Sequence, residues 1–186
     1  MVMKVILILG LVLGFVVNLT SQATDAKENE ASVTNNQNVS GLEVSIISRK
    51  GRYKVTDQIQ LDVMLSNSGK EVVYIFGTLD WGYSGSLVLH IRDASGKNVQ
   101  PRGFFDDPTF TSADDKSAFV KLLPHHFLGT NFFSPLDVLN LDRPGRYAIY
   151  VEYQSPFSAT DVRLNPFWGK ENGRIKSNVV NVEIVR

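Results

Sequence analysis

The 186-residue chain contains no cysteine. Disulfides and a cysteine nucleophile are therefore excluded, and so is a lipoprotein anchor, which needs a cysteine at the cleavage site for acylation. The chain also lacks an excess of either charge, with 19 basic and 19 acidic side chains. That balance argues against a nucleic-acid or anionic-membrane partner held by bulk electrostatics. Histidine is scarce, with three residues, His90, His125 and His126, and no HxH or HxxxH spacing among them. A transition-metal site usually draws three or four ligands, so these are read as surface and turn histidines. A Gly-x-Ser-x-Gly elbow is missing too. From Leu42 onward no segment sustains a 3.6-residue apolar period, which leaves Pro135 to Leu141 as one helical turn at most.

What is present begins with an export signal. Lys4 is the only charge before Asp25, and Val5 to Val17 is uninterrupted apolar sequence. As a helix that run spans ~20 Å, short of a ~30 Å bilayer core. Ser21 and Ala23 then supply small residues at the −3 and −1 positions of a cut after Ala23. Residues 1–23 are accordingly expected to be a cleaved signal peptide. Residues 24–40, rich in Asn, Ser and Thr, read as a disordered linker, and 41–186 as the folded domain. A chain of that size can bury ~70% of its unfolded surface, enough to fold without disulfides. The expected location is periplasmic or extracellular, with no stable membrane insertion after cleavage.

From Leu42 the pattern turns to period two. Leu42, Val44 and Ile46 alternate with Glu43 and Ser45. Ile59, Leu61, Val63 and Leu65 alternate with Gln60, Asp62, Met64 and Ser66, the clearest strand in the chain. Further strands are expected at Val72–Phe76, Leu87–Arg92, Ala118–Leu123, Phe127–Ser134, Tyr147–Gln154 and Val180–Ile184, with turns at Asn67–Lys70 and Asp93–Lys97. Seven or more short strands read as an all-β sandwich or barrel. Pro144 and Gly145 lead into Tyr147 at the start of the penultimate strand, the position of a tyrosine corner. This favours an immunoglobulin-like antiparallel β-sandwich with Tyr147, Pro144 and Gly145 as structural residues.

The run Leu141 to Tyr153, followed by Ser177 to Val180 and a terminal strand, resembles the last two strands of bacterial exported immunoglobulin-like domains. Ile59 to Val72 is similar to their front half, and the same strand pattern occurs in BsuPI-type proteinase-inhibitor domains. The resemblance covers roughly Leu42 to Arg186 and implies the fold. The inhibitor function it suggests would use an insertion loop, Phe104 to Lys116, in a protease cleft. It supplies no inhibitory residue.

Two loops longer than ordinary hairpins carry aromatics. Phe104, Phe105 and Phe110 lie in the Pro101–Lys116 insertion, and Phe157, Phe167 and Trp168 in the loop from Gln154 to Ser177. With strands in the usual order these two loops open at one end and the Trp81 loop at the other. Phe104, Phe105, Phe157, Phe167 and Trp168 could form a ligand-binding platform. Alternatively they plug the end of the sandwich as satellite core, the commoner role of scattered aromatics. Asp106, Asp107, Asp114 and Asp115 could supply oxygen ligands to calcium, but such pairs are more often solvated turn residues. With no catalytic residue, metal ligand or cofactor motif in view, the expected function is a non-enzymatic module binding a protein or glycan. A proteinase inhibitor and a small hydrolase are the alternatives.

Overall fold

The computed structural model describes residues 41–103 and 111–186. The expected signal peptide and linker, and Phe104, Phe105, Asp106, Asp107 and Phe110 of the insertion, lie outside the described residues. Ten strands run β1 (Leu42–Ser48), β2 (Arg52–Lys54), β3 (Gln58–Asn67), β4 (Val73–Phe76), β5 (Leu87–Asp93), β6 (Phe119–Leu122), β7 (Phe127–Pro135), β8 (Gly145–Tyr153), β9 (Ile175–Lys176) and β10 (Val180–Val185). A four-residue helix, α1 (Ala159–Val162), interrupts the last loop, closed at its start by reciprocal bonds between Ser158 and Asp161.

The period-two segments form the two faces of an all-β, immunoglobulin-like sandwich. One sheet has the order β1-β3-β7 and the other β2-β10-β8-β5, with β9 also on β8. Every pairing is antiparallel except β2 with β10, which is parallel. Ile59, Leu61, Val63 and Leu65 of β3 face Ile149, Val151 and Tyr153 of β8 within one buried cluster, each at most 1% exposed. Alternation puts each strand's apolar set into the same layer, so a one-residue slip would turn that set to solvent. The Tyr147 hydroxyl donates to the Arg143 carbonyl at 3.0 Å, the bond that makes a tyrosine corner.

Two turns need glycine. Gly96 has φ +83° and closes the Asp93–Lys97 turn, where the Asp93 side chain accepts from the Ser95 and Lys97 amides. Gly41 has φ +102° and lies so close to Gly69 that a Cβ would collide with its backbone.

β4 leaves the main sheets and pairs with β6. On its other side the loop after β8 lies parallel to it. The Tyr74 amide donates to Pro166, and the Trp168 amide donates to the Tyr74 carbonyl. Under this small sheet sits a second apolar cluster of Phe76, Ala118, Phe119, Val162 and Phe167. Tyr153 joins the two cores, its hydroxyl donating to the Phe76 carbonyl and accepting from the Phe76 amide, both at 3.1 Å.

Candidate functional site

The aromatics of the loop after β8 are held by packing. Phe167 is 3% exposed, its ring 5.6 Å from Phe119, and Phe157 lies edge-on to both Phe76 and Phe119. Trp168 packs half-buried against the main core. Phe157 and Phe167 thus pack with Phe76 and Phe119 between the small sheet and the loop, while Trp168 belongs to the main core. Phe104 and Phe105 are not described.

The grouping of loops expected from strand order is corrected. β5 starts beside the end of β8, Leu87 opposite Tyr153, so the Trp81 loop shares an end with the loop after β8. The Gln154 amide bonds there to the Tyr83 and Gly85 carbonyls. The insertion after β5 begins at the opposite end, where the Arg102 amide donates to Val138 and the Arg102 side chain pairs with Asp142. The reason is that β6 and β7 are two separate strands, pairing with β4 and β3, where a seven-strand order leaves one position between β5 and β8. Among the described residues no three His, Asp or Glu side chains gather closely enough to hold a metal ion. Asp115 instead caps the turn at Ser117, whose hydrogen bonds hold its carboxyl below the usual range.

The candidate surface that sequence reading missed is the outer face of the larger sheet. Strand registers align its outward side chains in four rows. Arg52, Glu183 and Arg146 form the first, Asn181, Ala148 and Arg92 the second. Tyr150 and His90 form the third, and Lys176, Glu152 and Val88 the fourth. Rows along a strand stand about 7 Å apart. Five fixed cations, Arg52, Arg92, Arg146, Arg174 and Lys176, thus share this face with two carboxylates, Glu152 and Glu183.

Those carboxylates are engaged. Glu183 accepts from Arg52 at 2.8 Å through Oε2, and Glu152 from Arg174 at 3.3 Å. His90 Nε2 also lies 3.1 Å from Glu152 Oε2, yet makes no hydrogen bond to it. Arg92, Arg146 and Lys176 have no carboxylate within ion-pair distance among the described residues. Tyr150 supports them from below. Its ring stacks on His90 at 4.6 Å and 7°, with the Lys176 ammonium 4.0 Å and the Arg92 guanidinium 5.6 Å from the ring centre. Cation–π attraction at such distances holds flexible cationic side chains over the sheet. Tyr150 is 7% exposed, so the cations, not the ring, meet solvent.

Beside this stack lies an open groove of about 500 Å³, lined by Asp93, Arg146, Ala148, Asn181 and Glu183. Ala148 gives it a low floor between Arg146 and Arg92. The face therefore presents three cations without an ion-pair contact among the described residues, next to a groove carrying both hydrogen-bond donors and acceptors. Arg92 lay on a strand that the sequence pattern located, with His90 already on its polar face, while Arg146 lay just before the strand expected from Tyr147. Lys176 lay in what was read as loop, and the alignment of rows from five strands depends on register.

No family model matches the chain, and no curated protein matches it. Among solved structures it is similar to the CARDB domain of the PF1109 protein from Pyrococcus furiosus, a structure with di-metal ions. That match has 15% identity and TM-score 0.37 over 77% of this chain and 92% of that one. It is also similar to a β-glucosidase from Listeria innocua in complex with glucose, at 13% identity and TM-score 0.35, covering 78% of this chain and 16% of that one. AvmM, described as catalysing macrocyclization in alchivemycin A biosynthesis, matches at 9% identity and TM-score 0.38 over 78% and 89%. At these identities and TM-scores the similarities carry no argument about ligand or activity.

Proposed function

We propose that this protein is an exported, non-enzymatic binding module that takes an anionic glycan on the outer face of its larger sheet. The observation that carries the reading is the cluster of Arg92, Arg146 and Lys176 without carboxylate partners beside the groove at Ala148. Arginine forks match carboxylate groups in planar, two-point contacts. The same groove carries Asn181 and the acceptors Asp93 and Glu183, each with a carboxylate oxygen outside the bonds that hold it. Those acceptors repel an acidic peptide but receive hydroxyl donors, and a uronate-bearing glycan offers carboxylates and hydroxyls together. Chain neutrality is compatible with this reading, because a local field acts within a Debye length of ~8 Å.

The export part rests on the charged, apolar and small-residue regions before Thr24. In a secreting host, the mass of the protein recovered outside the cytoplasm should correspond to a chain starting at Thr24. An intact Met1 terminus on the exported protein would contradict the assigned cleavage.

The binding part is tested by calorimetric titration with polygalacturonate, a neutral dextran and polyglutamate. Polygalacturonate alone should bind, with affinity falling as salt rises. Replacing Arg92, Arg146 and Lys176 together with Ala should weaken it at least ~10-fold, a change of about 1.4 kcal/mol. Equal binding of polyglutamate would reassign the face to acidic protein partners. No binding to any of the three, or unchanged binding by the triple variant, would remove the reading.

A further inference from the structure

β7 is an edge strand whose outer side pairs with nothing among the described residues. Its bonding direction follows from register. Asn67, at the end of β3, exchanges backbone bonds with the β7 side through His125 and His126, while the Gln60 carbonyl faces Arg49 on the β1 side. Odd-numbered residues of β3 therefore bond to β7. Their opposites on β7 are Leu128, Thr130, Phe132 and Ser134. Antiparallel pairing alternates bonded with non-bonded positions, so the amides and carbonyls of Phe127, Gly129, Asn131 and Phe133 point outward from the edge.

This edge has few of the usual protective features. It is nine residues long, carries no charged side chain and places its one proline, Pro135, last. Phe127 and Phe133 stand 66% and 53% exposed on its outer face.

We infer that β7 pairs antiparallel with β7 of a second copy of this chain, about a twofold axis through Asn131. That register sets Asn131 opposite Asn131, Phe133 opposite Gly129 and Phe127 opposite Pro135. Gly129, Asn131 and Phe133 then meet residues whose bonding groups also face outward, and Phe127 meets the carbonyl of Pro135, which has no N–H, forming roughly eight backbone hydrogen bonds. The same register lays each Phe133 ring across a glycine with no side chain, and such large-on-small pairs suit a strand edge. The nearest charged groups are Arg49, which donates to Asn131 Oδ1 at 3.5 Å and lies over the Phe133 ring, and Asp62, which pairs with Arg49 at 2.9 Å and offsets its charge. The result joins two three-stranded sheets into one of six. An edge about 30 Å long and about 10 Å deep, with the two Phe rings, buries less than ~1,200 Å² in all, the range of reversible associations.

The absence of native cysteine makes a direct test clean. Antiparallel bonded partners stand about 5.5 Å apart at Cα, within the range a disulfide spans. Under mild oxidation Asn131→Cys should form a covalent dimer at least ~10-fold faster than Ser45→Cys on β1 of the same sheet. Light scattering of the unmodified protein between about 5 and 300 μM should show a reversible rise from monomer to dimer. Phe133→Lys should abolish that rise. If it does not fold by circular dichroism, Gly129→Lys takes its place. A monomer across the whole range, cross-linking of Asn131→Cys no faster than the control, or a dimer unaffected by the folded lysine variant would overturn the inference.

Discussion

Two tyrosines separate the value of a hydroxyl from that of the ring beneath it. Tyr147 makes one bond, to the Arg143 carbonyl, in a partly buried position. Its replacement by Phe keeps the ring and should cost about 1 kcal/mol. The Tyr153 hydroxyl instead serves both the amide and the carbonyl of Phe76 in a fully buried position. Tyr153→Phe orphans two backbone groups away from water, each worth about 1–3 kcal/mol, so it should destabilise clearly more than Tyr147→Phe in urea denaturation. pH provides an independent check. Burial pushes the Tyr153 phenol well above its ordinary value of 10.0. The folded protein therefore keeps the proton at a pH where the unfolded chain releases it. The associated stability is complete below pH 10 and is lost as pH rises beyond it. Because Tyr153→Phe lacks this titration, the gap between wild type and variant should narrow above pH 10. A gap that stays constant through that range would mean the phenol is not buried as described.

At the scale of strands, the segment between β9 and β10 shows how an interrupted strand remains bound. Ser177 replaces a regular ladder contact, its hydroxyl accepting from the Val151 amide at 2.9 Å. Asn178 then turns to the other sheet, where its amide group gives and receives bonds at the Ile46 backbone, both 2.9 Å. One side chain thus imitates a strand residue and covers part of the outer edge of β1. Asn178→Ala should cost about 1–3 kcal/mol and accelerate hydrogen exchange of the Ile46 amide specifically. Asn178→Asp retains the acceptor and loses the donor, so it should protect that amide better than Ala does. Equal exchange in the two variants would show that Asn178 does not hold the edge. The alternation of apolar side chains made β1, β3, β5, β8 and β10 legible in the sequence, because burial on one face imposes that pattern. β2 and β9 were missed because three- and two-residue strands are too short to show alternation. β4 was located correctly, but its departure to pair with β6 depends on Asn67, whose buried amide donates to the Glu71 and Leu122 carbonyls. A polar residue ending a strand gives no hint of such distant partners. The basic face was hidden for a related reason: its cations come from strands far apart in sequence and meet only through register.

Across the whole molecule, two apolar clusters of unequal size share the work of folding. The larger fills the space between the sheets, and the smaller lies under β4, β6 and the loop that carries Phe157 and Phe167. Both are assembled around long-range pairings, yet the smaller is closed on one side by a loop whose backbone meets β4 through only a few bonds, at Pro166 and Trp168. Regions with few such anchors open at lower free energy than the global transition. Hydrogen exchange should therefore show Tyr74, Phe76 and Trp168 amides exchanging by local opening, while β3 and β8 amides exchange only on global unfolding. Phe167→Ala removes the centre of the smaller cluster, where a buried Phe is worth about 3–5 kcal/mol. If that cluster opens independently, the variant should lose protection at β4 and β6 far more than at β8, and the basic face should bind polygalacturonate as the unmodified protein does. A uniform loss across both clusters would mean that the Tyr153 bridge couples them into one cooperative unit. In that case Tyr153→Phe combined with Phe167→Ala should be less destabilising than the sum of the two single changes, since each already breaks the same connection.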